Sequence, residues 1–192
     1  METLLSISIG LGLSAACGFR VFVPLLIMSI ASLTGHLEIS EEFRWIGSVP
    51  ALAAFSTATA LEIVAYYIPW VDHLLDSLAT PAAVVAGIIA SASVVSDLSP
   101  LVKWSLALVG GGGIAGIIQG TTVMTRLKST AMTGGFGNFL ISTLELAGSI
   151  ITAFLAIFVP ILCLAMILAV CWFLFHKTGR VVFGRKKVIR YT

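Results

Sequence analysis

The sequence predicts an all-α fold, a polytopic transmembrane helix bundle with five to six membrane segments, some of them broken or kinked. Three observations carry that expectation. Of 192 residues, 58% are hydrophobic and 10% are charged, against roughly 25% charged in an ordinary soluble domain. The mean hydropathy is +1.08, and the apolar residues fall in runs long enough for helices that each need ~20 of them to cross a bilayer. Finally, six of the eleven Lys and Arg residues follow His176, namely Lys177, Arg180, Arg185, Lys186, Lys187 and Arg190. A basic tail after an apolar helix is the positive-inside signature, which puts the C-terminus in the cytoplasm. The chain therefore divides into a transmembrane domain, residues 1–176, and a basic cytoplasmic tail, residues 177–192. The lipid bilayer is the expected partner, with each tail cation worth ~1 kcal/mol near anionic headgroups. Nucleic-acid binding is not expected.

The first apolar stretch covers residues 4–33. As one helix it would be ~45 Å long, beyond a ~30 Å hydrocarbon core. Gly18, Arg20 and Pro24 lie near its middle, so a break or kink is expected there. Ser14-Ala15-Ala16-Cys17-Gly18 looks like a cleavage site. Glu2 stands where a basic region would be, and the apolar character continues past it, so the segment reads as a permanent helix. Cys17, Cys163 and Cys171 sit in apolar runs without metal-ligand spacing and read as small core residues.

A polar, acidic loop with Glu38, Glu41, Glu42 and Arg44 precedes the second span, residues 46–68, which carries Glu62 inside it. Tyr66, Tyr67 and Trp70 read as an interfacial aromatic belt. Residues 69–80 read as a short amphipathic connection, in which Asp72, His73 and Asp76 form a weak metal candidate. A third strong ligand is missing locally, so a solvated helix face is the preferred reading, and no metal or other cofactor is expected. A shorter third span covers residues 81–95. The fourth, residues 101–124, contains Gly112, Gly116 and Gly120 at i, i+4 and i+8, a smooth stripe that predicts close helix packing. No Gly-Lys-Ser/Thr closes that run, which argues against a phosphate loop. Residues 139–175 are apolar apart from Glu145 and scattered Ser and Thr; Pro160 splits them into a fifth and a sixth segment. Six segments place both termini, Arg126 and Lys128 in the cytoplasm.

Each half has a glycine-rich segment followed by an arginine, then a segment carrying a glutamate: Arg20 with Glu62, Arg126 with Glu145. That leaves open an inverted 3+3 pseudo-repeat, the plan of many small transporters. A central Arg costs at least ~2.5–3.5 kcal/mol on insertion scales, so Arg20 needs a partner. One reading is an Arg20–Glu62 pair that only fixes helix packing. The other presents Arg20 and free backbone N–H groups at a helix break to an anion. Arg126 reads as snorkelling to the headgroups. A helix beginning at Asn138 would place Ser142 and Glu145 on one face. No nucleophile, base and orienter set is apparent, so the chain is not expected to be an enzyme.

Gly18-Phe19-Arg20-Val21-Phe22-Val23-Pro24 resembles an uncharacterised bacterial integral-membrane family, domain of unknown function four-one-two-six. The likeness continues through Pro50-Ala51-Leu52, Glu62, Pro69-Trp70-Val71-Asp72 with Asp76, the glycine run, Arg126, Asn138, Ser142 and Glu145. It departs at Tyr66 and Tyr67, where members tend to have an acidic-basic pair, and at Gln119, near which they often carry His and Lys. The resemblance implies a small multi-spanning protein of a bacterial inner membrane and no established activity. The expected function is a transporter or translocase for an anionic solute or lipid headgroup. Arg20, Glu62, Arg126, Glu145 and Asn138 would bind it, and the alternative is a scaffold or an oligomeric channel in which the charges only fix packing. A homo-oligomer is left open.

Overall fold

The computed structural model describes residues 2–68 and 71–183, the side chains of 72–74, 174, 175 and 177–183 excepted. Its elements are α1 (Glu2–Phe19), α2 (Phe22–Leu33), a 3-10 turn (Glu41–Gly47), α3 (Val49–Tyr66), α4 (Val71–Val94), α5 (Pro100–Ser105), a π-helical stretch (Leu106–Gly112), α6 (Gly113–Thr133), α7 (Asn138–Phe158) and α8 (Pro160–Phe183). Five helical segments are long and apolar enough to cross a membrane, and α2 and the first part of α8 are shorter apolar helices. The fold is the expected polytopic helical bundle.

The first apolar stretch does break, and it turns back. Residues 2–9 of α1 lie beside residues 36–41 and 94–97 around one polar pocket, so α2 returns to the face from which α1 enters. At 12 residues, or roughly 18 Å, α2 is too short to cross a ~30 Å core. The chain therefore inserts a helical hairpin, tipped by Arg20 and Val21, instead of one kinked span. From the same first face α3 runs to the second, α4 returns, α5 to α6 cross again, α7 returns, and α8 crosses once more. The order follows from Ser40 N donating to the Ser93 carbonyl (2.7 Å), Lys103 Nζ on Glu42 (2.7 Å), and His36 against Phe158. Along α8, Cys163 lies against Gly12, whereas Met166, Ile167 and Val170 share a pocket with Ala15 and Phe19.

Two expectations are corrected by this path. Because the hairpin does not cross, the N-terminus and the end of α8 lie on opposite faces, where six spans would have put them together. Residues 71–80 are no separate connection either, since α4 is one 24-residue helix that runs through Pro81. In a membrane, neighbouring helices can compensate such a proline. The split at Pro160 does occur: Val159 ends α7, and α8 packs back along it. α8 stays helical beyond His176 to Phe183, and residues 184–192, with Arg185, Lys186, Lys187 and Arg190, lie outside the described residues, as do Pro69 and Trp70.

Small residues let α1 sit at the centre, against α4, α6, α7 and α8. Its buried positions include Ser8, Gly10, Gly12, Ser14, Ala15, Ala16 and Gly18, the composition that allows close backbone approach where apolar burial gives no net drive. Ser14 Oγ lies 2.7 Å from both the Gly10 and the Gly87 carbonyls, and Ser149 Oγ donates to the Ala16 carbonyl (3.0 Å). The expected glycine stripe is only partly used. Gly112 and Gly116 face Ile88 and Val84 on α4, but Gly120 has nothing near it. The close backbone approach between α4 and this segment is instead Gly87 on Gly111, at the π-helical stretch before α6.

Pro24 does not make the break. It is the third residue of α2, where the missing N–H would have had no helical acceptor. Pro24 is fully buried, so Pro24→Ala is expected to cost about 1–2 kcal/mol in lost packing and no more, with the turn left in place. Denaturant unfolding in mixed micelles checks this, and a larger loss would make the proline itself the cause of the turn. Gly18 serves packing rather than flexibility, since a Cβ there would lie 2.7 Å from the Ala115 carbonyl oxygen.

Candidate functional site

The charged residues of four segments converge beyond the tip of the α1–α2 hairpin. Arg126, buried on α6, is held on three sides. Its Nη1 donates to Asp76 Oδ1 of α4 at 2.8 Å. Its Nε donates to Glu145 Oε1 of α7 at 3.1 Å, and its Nη2 pairs with Glu145 Oε2. A bidentate guanidinium–carboxylate pair of this kind is the strongest form of charged hydrogen bond. The guanidinium also lies over the Tyr66 ring, 4.0 Å from its centre.

Arg20 uses the same platform from the hairpin tip. Its guanidinium carbon is 3.8 Å from the centre of the Tyr66 ring, and stacking on an aromatic face suits this cation. Nη2 donates to the Ser142 carbonyl at 2.9 Å and stands 3.8 Å from Glu145 Oε2. Arg20 is 2% exposed, yet its Nε and Nη1 have no acceptor among the described residues. Arg126 is thus neutralised by two carboxylates, while Arg20 shares one of them at long range.

Glu62 of α3 does not pair with Arg20, which corrects the expected Arg20–Glu62 ion pair. Its Oε1 accepts from Val21 N (2.8 Å) and its Oε2 from Phe22 N (3.0 Å). The reason is the break: the first N–H groups of a helix lack partners within it and carry the positive end of its dipole. A carboxylate facing them gains two charge-assisted bonds, while the guanidinium finds Glu145 and a carbonyl on another helix. Glu62 makes no salt bridge among the described residues. The cluster as a whole holds three carboxylates and two guanidiniums.

Two further expectations are revised. Arg126 does not snorkel, being 1% exposed. Asp76 lies not on a solvated face but buried against Arg126, which donates to its Oδ1; the side chains of Asp72 and His73 lie outside the described residues. Among the described residues, no group of three or more His, Cys, Asp or Glu could hold a metal ion. Asn138 begins α7 as expected and places Ser142 and Glu145 on its buried face. Its own Nδ2 donates to Thr130 Oγ1 (2.9 Å), tying α7 to α6.

Sequence reasoning missed Tyr66, the Ser142 carbonyl and the role of Asp76. A tyrosine at a helix end carries the same local signal whether it faces headgroups or lies under two guanidiniums. The half-repeat does not extend to these partners: Arg20 stands at a break, Arg126 inside a continuous helix, and Glu62 and Glu145 bind different groups.

The family described as Domain of unknown function (DUF4126) matches residues 7–179. The chain belongs to it. No curated protein and no solved structure matches the chain. The DUF4126 region takes in every residue of the cluster and nearly all of the helical bundle, so hairpin, platform and charges are parts of one family domain.

Proposed function

We propose that this protein is a small membrane transporter or translocase for an anionic solute or lipid headgroup, with Arg20 as the anion contact. The observation that carries the reading is the pair of buried Arg20 N–H donors without acceptors. A buried donor left unsatisfied costs about 1–3 kcal/mol, and more when charged. An oxyanion at Nε and Nη1 would remove that cost, and an ionisable residue inside a span is a functional site by default. A helix break whose first backbone donors face an anionic group, here the Glu62 carboxylate, is the kind of place where transporters bind anions at depth. The cluster presents no activated nucleophile, which favours transport over catalysis.

The first face carries Glu38, Glu41, Glu42 and Asp97, while Lys128 and the exit of α8 belong to the second. By the positive-inside bias the second face, with the basic tail, is cytoplasmic, in a bacterial inner membrane. The competing scaffold reading draws on Arg126, whose ion pairs alone would lock α4, α6 and α7.

A thermal-shift screen of the purified protein against phosphate, carboxylates, inorganic anions and anionic lipids separates the two. A binding anion at about 100 times its Kd stabilises by ~2.7 kcal/mol, a rise of roughly 5–11 °C for a chain of this size. Arg20→Gln should fold and lose that rise. Wild-type protein indifferent to every anion would sink the transport reading in favour of the scaffold.

A further inference from the structure

Between α3 and α4 the bundle carries a 460 Å³ pocket whose walls include Val21, Phe22, Leu61, Leu78 and Ala82. Among the described residues, Glu62 is the one polar side chain in its lining. Leu61 and Leu78 are 65% and 70% exposed and stand on membrane-spanning helices, so the mouth opens sideways toward lipid rather than toward either aqueous face. The inner end reaches the hairpin tip, at the two amides that Glu62 occupies.

We propose that this pocket receives the hydrocarbon chain of an anionic lipid entering from the bilayer, and that its headgroup oxygens replace the Glu62 carboxylate on the Val21 and Phe22 amides. This rests on the anion reading above and names its substrate class. Glu62 itself shows what the tip binds: two oxygens of one anionic group, at 2.8 and 3.0 Å from two consecutive amides. A phosphate or carboxylate headgroup offers the same two oxygens. Arg20, the residue immediately before those amides, lies behind the tip on the Tyr66 side, outside the pocket's lining, and keeps buried donors without an acceptor among the described residues. The two halves of the site thus call for opposite chemistries, an apolar wall open to lipid and an oxyanion seat at its inner end. An amphiphile satisfies both, whereas a soluble anion would gain nothing from the wall.

The test uses the full chain in phosphatidylcholine vesicles and a phosphatidic acid carrying a photoactivatable diazirine in its acyl chain. A phosphatidylcholine bearing the same group serves as control. Labelled residues are mapped by mass spectrometry. The acidic probe should label Leu61, Ala65, Leu78 and Ala82 several-fold more than the control. Glu62→Gln should raise that labelling, because a neutral amide competes less well for the backbone N–H groups than a carboxylate. Ala58→Phe, at a half-buried lining position, should abolish it by filling the pocket, and it carries the test alone if Glu62→Gln does not fold. Equal labelling by both probes, or labelling that survives Ala58→Phe, overturns the proposal. So does a fall in Glu62→Gln, which would mean that the carboxylate attracts a cation instead of yielding to an anion. Stabilisation by inorganic phosphate, measured alongside, keeps the two readings apart. If it persists and still needs Arg20 while the labelling fails, the anion site stands and lipid entry is refuted; if both fail, both are refuted.

Discussion

Arg126→Leu should cost about 3–5 kcal/mol, the loss expected when one member of a buried ion-pair network is removed. The change strips Asp76 and Glu145 of their shared partner in a place where each is less than one-tenth exposed. It also removes the cation over Tyr66. Leucine is tolerated by lipid, so the loss arises from the two carboxylates left behind, not from the new side chain. That claim is testable by adding Asp76→Asn and Glu145→Gln to the same chain. The triple variant leaves neither carboxylate charged and takes from Arg20 only its distant partner at 3.8 Å, so it should recover more than half of the loss, followed by denaturant unfolding in mixed micelles. A single variant as stable as wild type would mean that water reaches the cluster and screens it. A triple variant no better than the single one would shift the cause to packing around Tyr66. Arg20→Gln is expected to cost far less, because beside its stacking on Tyr66 Arg20 has one charged hydrogen bond and one distant carboxylate to lose, and no bidentate pair.

That contrast also bears on what the sequence discloses. Composition and hydropathy suffice for a helical membrane bundle, because a chain with so few charges has no other way to satisfy its backbone. Arg20 and Glu62 stand out for the same reason: a charge within an apolar run is costly wherever it ends up. Their partners do not follow. Whether Glu62 meets a guanidinium or two amides depends on where the chain breaks, and the break falls before Pro24, at a point that hydropathy does not mark. Direction is equally hidden. A 30-residue apolar stretch reads as one long helix or as a hairpin with the same residues, and the choice reverses the side of the N-terminus. Arg126 is ambiguous in the sequence, because lying near the end of an apolar run suits both a snorkelling cation and one that reaches across to α4 and α7. Lys103, a lone lysine beside Trp104 in an apolar run, is a usable sign of a polar partner, and it pairs with Glu42 across the first face.

Glycine spacing misleads in a more instructive way. The regular set Gly112, Gly116 and Gly120 suggests one continuous contact, yet the tightest approach in this part of the bundle joins Gly87, an isolated glycine, to Gly111. A Cβ on Gly87 would lie 2.6 Å from Ala115 Cβ and 2.9 Å from the Gly111 carbonyl oxygen. Neither is the far end of a flexible side chain, so α4 and α6 would have to part, and with them the Ser14 contact to the Gly87 carbonyl. Gly87→Leu should therefore destabilise by about 3 kcal/mol or more, the upper range for overpacking, even though leucine is the better helix former. Gly120 has open space around it and is exposed, so Gly120→Ala should stabilise by roughly 0.5–1 kcal/mol through helix propensity alone. Unfolding both variants side by side checks the two signs together. If Gly120→Ala is the damaging change, the regular stripe is a contact surface after all, and it meets a second copy of the chain. If Gly87→Leu is harmless, α4 and α6 are free to separate, which is the motion a moving gate at the hairpin would need.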